Sequence, residues 1–446
     1  MGMESFEFGG CWMETFNLPH NFLLGTATSS LQIEGGDRNN NWYRWCEQKK
    51  IKDGSSCVVA DDHWNLYHSD IALLKELHND TYRMGLEWSR IEPEPGKFDG
   101  EALTHYRDEL TGLIKNGIQP LVTLHHFSHP LWIEDMGGWE NPIVVDYFAK
   151  YTRQVVESLG DLVEAWITIN EPNVFTTYGY LQGLWPPGKQ NMAASFRVLK
   201  NMIQAHIVSY QLIHRIRAEK NFPGETMVGV SHHLRVFDPV GDKPLNRLSA
   251  KLIRYFFQDI IVAGMATGKL KFPLGTGGYP FGKGRYQDFL GINYYTRDMV
   301  RFQWNSAMMF SQLSLKAGAL TNDLGWEIYP DGLYRLCKHY YGKYQLPIFI
   351  TENGICDQND NRRVQFIYDH LRAVSKLIQE GVPVQRYYHW SFIDNFEWLE
   401  GENARFGLVS NDFRTQTRTV RQSGRFFAEL CQNKAVTPKM ILHYFN

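Results

Sequence analysis

Cysteine is scarce in this chain of 446 residues: there are six, and no two form a Cys-x-x-Cys pair. That excludes a disulfide framework and predicts free thiols in a reducing cytoplasm. Net charge is also lacking. Lys and Arg number 46 against 48 Asp and Glu, so nothing is built to coat nucleic acid or an acidic membrane. The chain start has no basic segment ahead of an apolar run. Glu4, Glu7 and Glu14 come first, and the first basic residue is Arg38. An export signal is therefore not expected, and a cytoplasmic location is. The uncharged stretch 117–133 holds His125, His126, His129 and two prolines, which does not suit a membrane span. No Pro/Ser linker, charge block, low-complexity tract or short repeat divides the chain, so 1–446 reads as one domain.

What is present is apolar and aromatic. Hydrophobic residues make up 43% and charged residues 21%, a globular balance that excludes disorder. Thirteen Trp, 23 Tyr and 27 Phe suit either a large aromatic core or surfaces that stack on sugar rings or bases. Short apolar runs alternate with longer amphipathic stretches. Strands are predicted over 22–27, 81–86, 119–124, 164–169, 227–231, 288–292, 347–350 and 384–388. Helices are predicted over 64–77, 101–116, 144–159, 194–220, 330–344 and 362–380. Eight strands alternating with helices imply a closed parallel barrel of the α/β class, a single (β/α)8 TIM barrel. A minimal barrel needs ~250 residues, so the excess is expected in long βα loops. Active sites in this architecture lie at the carboxyl ends of the strands.

Two acids stand there. Glu171 follows Trp166-Ile167-Thr168-Ile169-Asn170, and Glu352 follows Ile348-Phe349-Ile350-Thr351. They are far apart in sequence, but a barrel brings both to one mouth. Two carboxyls across a pocket are what acetal hydrolysis needs: one protonates the leaving oxygen, the other attacks or activates water. Asn-Glu-Pro alone would read equally as a helix start; placement at two strand ends favours chemistry.

At these residues the chain resembles glycoside hydrolase family 1, the β-glucosidase family. Thr168-Ile169-Asn170-Glu171-Pro172 and Ile350-Thr351-Glu352-Asn353-Gly354 resemble its two active-site signatures. FLLGTATSSLQIEG at 22–35, Tyr82-Arg83 with Trp88-Ser89-Arg90-Ile91, GINYYT at 291–296 and WSFIDNFEW at 390–398 follow in family order. The similarity runs from about 18 to about 430.

The resemblance implies a retaining exo-β-glycosidase, a β-glucosidase tolerant of galactosides or fucosides and capable of transglycosylation. Glu171 would be the general acid/base and Glu352 the nucleophile, with carboxyls ~5–5.5 Å apart. Arg83 and Tyr295 would flank the nucleophile, the guanidinium keeping it ionised. Gln32, His126, Asn170, Glu397 and Trp398 would contact the sugar, and Trp390 would lie under its ring. At the third strand many family members read Tyr-His-Trp-Asp where this chain has His125-His126-Phe127-Ser128. Phe127 lacks the indole N–H for one hydroxyl. The segment 272–287 is short for the family, which predicts a more open mouth.

Other readings were weighed. Gly277-x4-Gly282-Lys283 misses a phosphate loop, since Gly284 replaces Ser/Thr and Pro280 removes an amide donor. His125, His126, His129 and the pair His232-His233 suggest metal, but adjacent strand residues point to opposite faces. Neither a metal nor a cofactor is expected. The partners expected are β-glucosides or short oligosaccharides, with no nucleic acid and no membrane. Oligomeric state stays open. The alternatives are a 6-phospho-β-glycosidase, a predominant transglycosylase, or a sugar-binding protein without catalysis; both Glu171 and Glu352 argue against the last. Asn395-Phe396-Glu397-Trp398 with Gly401-Glu402-Asn403-Ala404-Arg405 argues against a 6-phosphate, because an acid stands where a cation would be wanted.

Overall fold

The computed structural model describes residues 5–8, 11–278, 282–305 and 309–445, with the backbone alone for 5–8, 11 and 12. The side chain of Cys11 and the whole of Pro280, within the segment 272–287, lie outside the described residues. Eight parallel strands close into a barrel: β1 (Leu23–Ala27), β2 (Thr81–Gly85), β3 (Gln119–Thr123), β4 (Ala165–Asn170), β5 (Met227–His233), β6 (Leu290–Tyr294), β7 (Ile348–Asn353) and β8 (Val384–Trp390). β8 pairs with β1 to shut the ring. Each predicted strand run lies on one of these, with no end moved by more than three residues. Strands buried on both faces must be apolar almost throughout, and β4 (AWITIN) and β7 (IFITEN) are buried at every position.

Helices cover the outside: α1 (His63–Glu76), α2 (Gly100–Lys115), α3 (Val144–Leu159), α4 (Met192–Glu219), α5 (Pro244–Arg254), α6 (Ile260–Thr267), α7 (Pro330–Tyr344), α8 (Arg363–Gln379) and α9 (Gln422–Asn433). Their starts carry local signals. Asp99 accepts from the amides of Glu101 and Ala102 at α2, and Asn191 accepts from that of Ala194 at α4. Such caps satisfy amides that the helix leaves unpaired. None of the described helices is long and apolar enough to cross a membrane.

The excess length is in the loops after the strands, as expected. Between β5 and β6 lie α5, a π-helical turn (Tyr255–Asp259) and α6. A small sheet joins Val236–Pro239, Arg297–Phe302 and Ser311–Ser314. These insertions were not anticipated, because their apolar residues follow neither barrel period. The ladder slips at the strand ends: between Ile292 and Asn293 in β6, between Ile167 and Asn170 in β4, and between Ile350 and Asn353 in β7. Such irregularities re-aim side chains, and here they fall beside Glu171 and Glu352.

Gly354 follows the second signature because nothing larger fits. A Cβ there would lie 1.8 Å from the carbonyl oxygen of Trp390. Gly354→Ala should therefore push the ends of β7 and β8 apart, costing about 1–3 kcal/mol as overpacking does. A lowered midpoint of urea unfolding, with loss of activity, is expected; an unchanged midpoint would show that the strand ends yield freely.

Candidate active site

Arg83 on β2 has no solvent exposure, and it holds the site together. Its Nη1 donates to Oε1 of Glu352 (2.5 Å) and to the carbonyl of Thr351 (3.1 Å). Its Nη2 donates to Oδ1 of Asn170 (2.7 Å), and its Nε to Oγ1 of Thr123 (3.1 Å). Tyr295, just past β6, donates its hydroxyl to Oε2 of Glu352 (2.5 Å). Both oxygens of Glu352 thus accept charge-assisted or phenolic hydrogen bonds, which favour the carboxylate.

Glu171 has a different setting. It caps the short helix Pro172–Thr176 with φ 41° and ψ 59°, the left-handed region. Phe127 (φ 70°) and Trp398 (φ 50°) share that conformation. Non-glycine residues are held there at about 1–3 kcal/mol each, typically where a site over-determines the backbone. The Glu171 amide donates to Ser231 (2.8 Å). Its Oε1 accepts from Nδ2 of Asn293 (2.8 Å) and bonds Nδ1 of His233 (3.0 Å). Behind His233, Arg235 donates Nε–H to Nε2 (3.2 Å) and pairs with Asp298 (2.9 Å).

This chain of bonds decides protonation. A ring nitrogen that accepts a hydrogen bond carries no proton. Nε2 of His233 accepts from Arg235, so the ring is neutral and its proton is on Nδ1, directed at Glu171. Both bonds to Glu171 therefore end on Oε1, and Oε2 is the oxygen left to carry a proton. Burial raises the Glu171 carboxyl, but His233, Asn293 and Arg83 outweigh it and hold the group below the ordinary carboxylate range. The charge attraction from His233 needs a charged ring and vanishes with a neutral one, whereas its hydrogen bond from Nδ1–H remains. Burial pushes Glu352 up to about 7, Arg83 opposes it, and an ionised Glu171 would add to it. With Glu171 protonated that addition is absent. Of the two facing carboxyls, Glu352 alone touches a cation that cannot deprotonate, and that contact favours its charge.

Eight of the eleven expected residues line one cavity of about 560 Å³: His126, Phe127, Glu171, Tyr295, Glu352, Trp390, Glu397 and Trp398. Gln32, Asn170 and Arg83 stand one hydrogen bond behind. Gln32 donates to Oε2 of Glu397 (3.2 Å) and to Asn395 (2.9 Å). Asn170 donates to Nε2 of His126 (3.0 Å), leaving Nδ1 of His126 buried without a partner. Phe127 is buried against Trp398 and Trp185 (5.1 and 5.0 Å between ring centres) and serves as wall. Burial and the charge of Glu352 push Glu397 up to about 8.

Asn293, His233 and Arg235 were not anticipated as site residues. His233 was visible only as half of a His-His pair. The strand alternation separates the two: His232 bonds Gln287 (3.0 Å), while His233 reaches Glu171. The third-strand histidines likewise diverge, His125 to Trp139 (3.0 Å) and His129 to Glu134 (2.8 Å). No group of three or more His, Cys, Asp or Glu is placed to hold a metal among the described residues.

Known proteins resemble this chain over most of its length. The sequence model described as Glycosyl hydrolase family 1 matches residues 14–436. β-Glucosidase A of Thermotoga maritima is 30% identical over 462 residues, covering 95% of this chain and all of that protein. The solved β-glycosidase from Pyrococcus horikoshii superposes with a TM-score of 0.87 at 36% identity, over 97% of this chain and 98% of that one. The β-glucosidase from T. maritima in complex with deoxynojirimycin gives 0.86 at 28%, over 95% and 100%. The match leaves no strand of the barrel outside it, and the chain belongs to glycosyl hydrolase family 1.

Proposed function

We propose that this protein is a retaining exo-β-glycosidase that hydrolyses terminal β-D-glucosyl residues, working as one catalytic domain. The observation that carries the reading is the unlike surroundings of two carboxyls on one cavity. Glu352 is clamped as an anion by Arg83 and Tyr295. Glu171 has one oxygen saturated by N–H donors and the other available for a proton. Pairs set apart in this way divide into nucleophile and acid.

In the first step a Glu352 oxygen attacks the anomeric carbon. The bond from that carbon to the leaving oxygen breaks, and the leaving oxygen takes the proton from Glu171. The charge of Glu352 is consumed in the ester. Glu171, now ionised and no longer facing an anion, accepts a proton from water as the water oxygen attacks the same carbon and frees Glu352. Nδ1–H of His233 steadies the Glu171 carboxylate during this second step. Trp390 offers a face to the pyranose ring, and His126 and Glu397, held from behind by Asn170 and Gln32, read its hydroxyls. The T. maritima relative solved with deoxynojirimycin, a small sugar-like compound, supports a sugar-sized ligand.

A 6-phosphorylated sugar suits the site poorly. Glu397 is held near neutrality by burial, and a phosphate beside it would need a cation. Arg405, the nearest basic residue in sequence, is committed elsewhere: it pairs with Asp394 (3.6 Å), donates to Asn411 (3.2 Å) and covers the ring of Phe413 (4.7 Å).

Four outcomes test the reading. Glu352→Ala should abolish turnover of natural glycosides, and azide should restore activity on aryl glucosides with inverted product. Labelling by a 2-fluoro glucoside at any other residue would refute the assignment. Glu171→Ala should remove the alkaline limb of the pH–rate profile and harm poor leaving groups by about 10²–10⁴-fold. His233→Leu should instead move that limb upward by about one to two pH units, because a hydrogen bond to the carboxylate is worth about 1.5–3 kcal/mol; a limb that stays in place sinks the positioning role. Finally, kcat/KM for a β-glucoside should exceed that for its 6-phosphate by at least about tenfold, the equivalent of one lost charge-assisted bond; equal use overturns this part.

A further inference from the structure

Away from the two carboxyls, Cys46 and Cys57 face each other. Their sulfurs are 3.9 Å apart and share a hydrogen bond. Cys46 stands in the last turn of the short helix Asn41–Glu47 and is half-buried. Cys57 lies across the loop 47–56 and is 2% exposed.

The two thiols differ in chemistry. Cys46 accepts from the thiol and the backbone amide of Cys57 and from the hydroxyl of Ser56, and these bonds bring it down to about 7 against burial. The thiolate is the form that attacks. Its bond to Cys46, then burial, holds Cys57 well above the ordinary thiol range. Burial likewise pushes up Cys337, Cys356 and Cys431. Among the thiols of the described residues, Cys46 is therefore the nucleophile, with a second, protonated thiol in contact behind it.

The loop between the pair holds part of the cavity in place. The Lys52 amide donates to the carbonyl of Leu399 (3.0 Å), Nζ of Lys52 donates to Glu400 (2.5 Å), and Asp53 accepts from the Glu402 amide (2.7 Å). These bonds fix the turn after Trp398, and Glu397 and Trp398 line the cavity. The helix of Cys46 adds Trp42, packed on Trp398 (4.8 Å between ring centres). Residues 47–50, Lys52 and Gly54 are exposed. Hydrogen bonds made from such a segment open locally at little cost, so a covalent tie across its ends would tighten its hold on the turn.

We infer that Cys46 and Cys57 are a modification site for low-molecular-weight disulfides, which close the pair into a reversible disulfide that clamps the loop 47–56 and, through it, the turn after Trp398. The sulfurs must approach to about 2 Å, and Cys46 ends a helix that leads into exposed chain. The Cys46 thiolate attacks one sulfur of the reagent; the reagent's S–S bond breaks and one thiolate leaves. Cys46 then carries no charge, and Cys57 loses its proton more readily. The Cys57 sulfur attacks that of Cys46, and the second reagent thiolate leaves. The pair is oxidised by two electrons, and the reagent becomes two thiols that take up the two protons lost by the cysteines. Excess thiol reverses the exchange, as a reducing compartment would.

The test is incubation of the protein with oxidised glutathione near neutral pH. A Cys46–Cys57 bond in the peptide map, removed by dithiothreitol, is expected. Glutathione left on Cys46, or both thiols unchanged, overturns the inference. Cys57→Ala should trap glutathione on Cys46, and Cys46→Ser should leave Cys57 unmodified; modification of Cys57 in the second variant counts against the order of attack. Hydrogen exchange reads the clamp: the amides of Lys52 and Glu402 should exchange about tenfold more slowly in the oxidised protein, the order that closing a short loop implies. Unchanged exchange refutes the clamp. Should Cys57→Ala fail to fold, the map and the exchange of the wild-type protein decide. None of these measurements needs turnover, so failure of the glycosidase reading would leave them standing.

Discussion

The fully buried guanidinium of Arg83 is the constraint from which the site is built. It rises from β2 and binds β3 through Thr123, β4 through Asn170 and β7 through Thr351 and Glu352. A buried cation is costly unless every donor finds an acceptor. Satisfying this one requires the ends of three other strands to stand in one arrangement. The register slips in β4, β6 and β7 are the backbone side of that requirement. They turn Asn170, Asn293 and Glu352 inward together.

From Arg83 a single network runs through Asn170 and Asn293 to Glu171, and on through His233 and Arg235 to Asp298. It has an arginine at each end, but they act differently. Arg83 touches its carboxylate and lends it a charge that no pH change removes. Arg235 meets only an imidazole. By donating to Nε2 it keeps His233 neutral and orients the remaining proton toward Glu171. One carboxyl receives a cation, the other only a hydrogen bond. Geometry thus separates two groups of the same chemistry.

Much of this was legible in the chain. The eight apolar runs mark the barrel because parallel strands buried on both faces must be apolar along their length. Glu171 and Glu352 were legible because the architecture names the strand ends as the place to look. Gln32, Asn170 and Arg83 were expected at the sugar or the nucleophile, and they stand behind the residues that line the cavity. Asn293 lay unremarked within a strand signature. His233 and Arg235 carried no motif, since their partners are Glu171 and Asp298, far away in sequence. The apolar side of the cavity was invisible for a similar reason: Phe196, Ile253 and Phe256 line it from separate elements, and each alone reads as an ordinary packing residue.

The sequence by itself therefore determined the barrel, the two acids and the order of the signatures. These depend on local periodicity and on residues within one strand and its turn. Only the tertiary structure decided which carboxyl touches the cation and which side chains from distant elements line the cavity beside both. Both depend on groups brought together from strands and helices distant along the chain, and burial then amplifies each contact by taking water away.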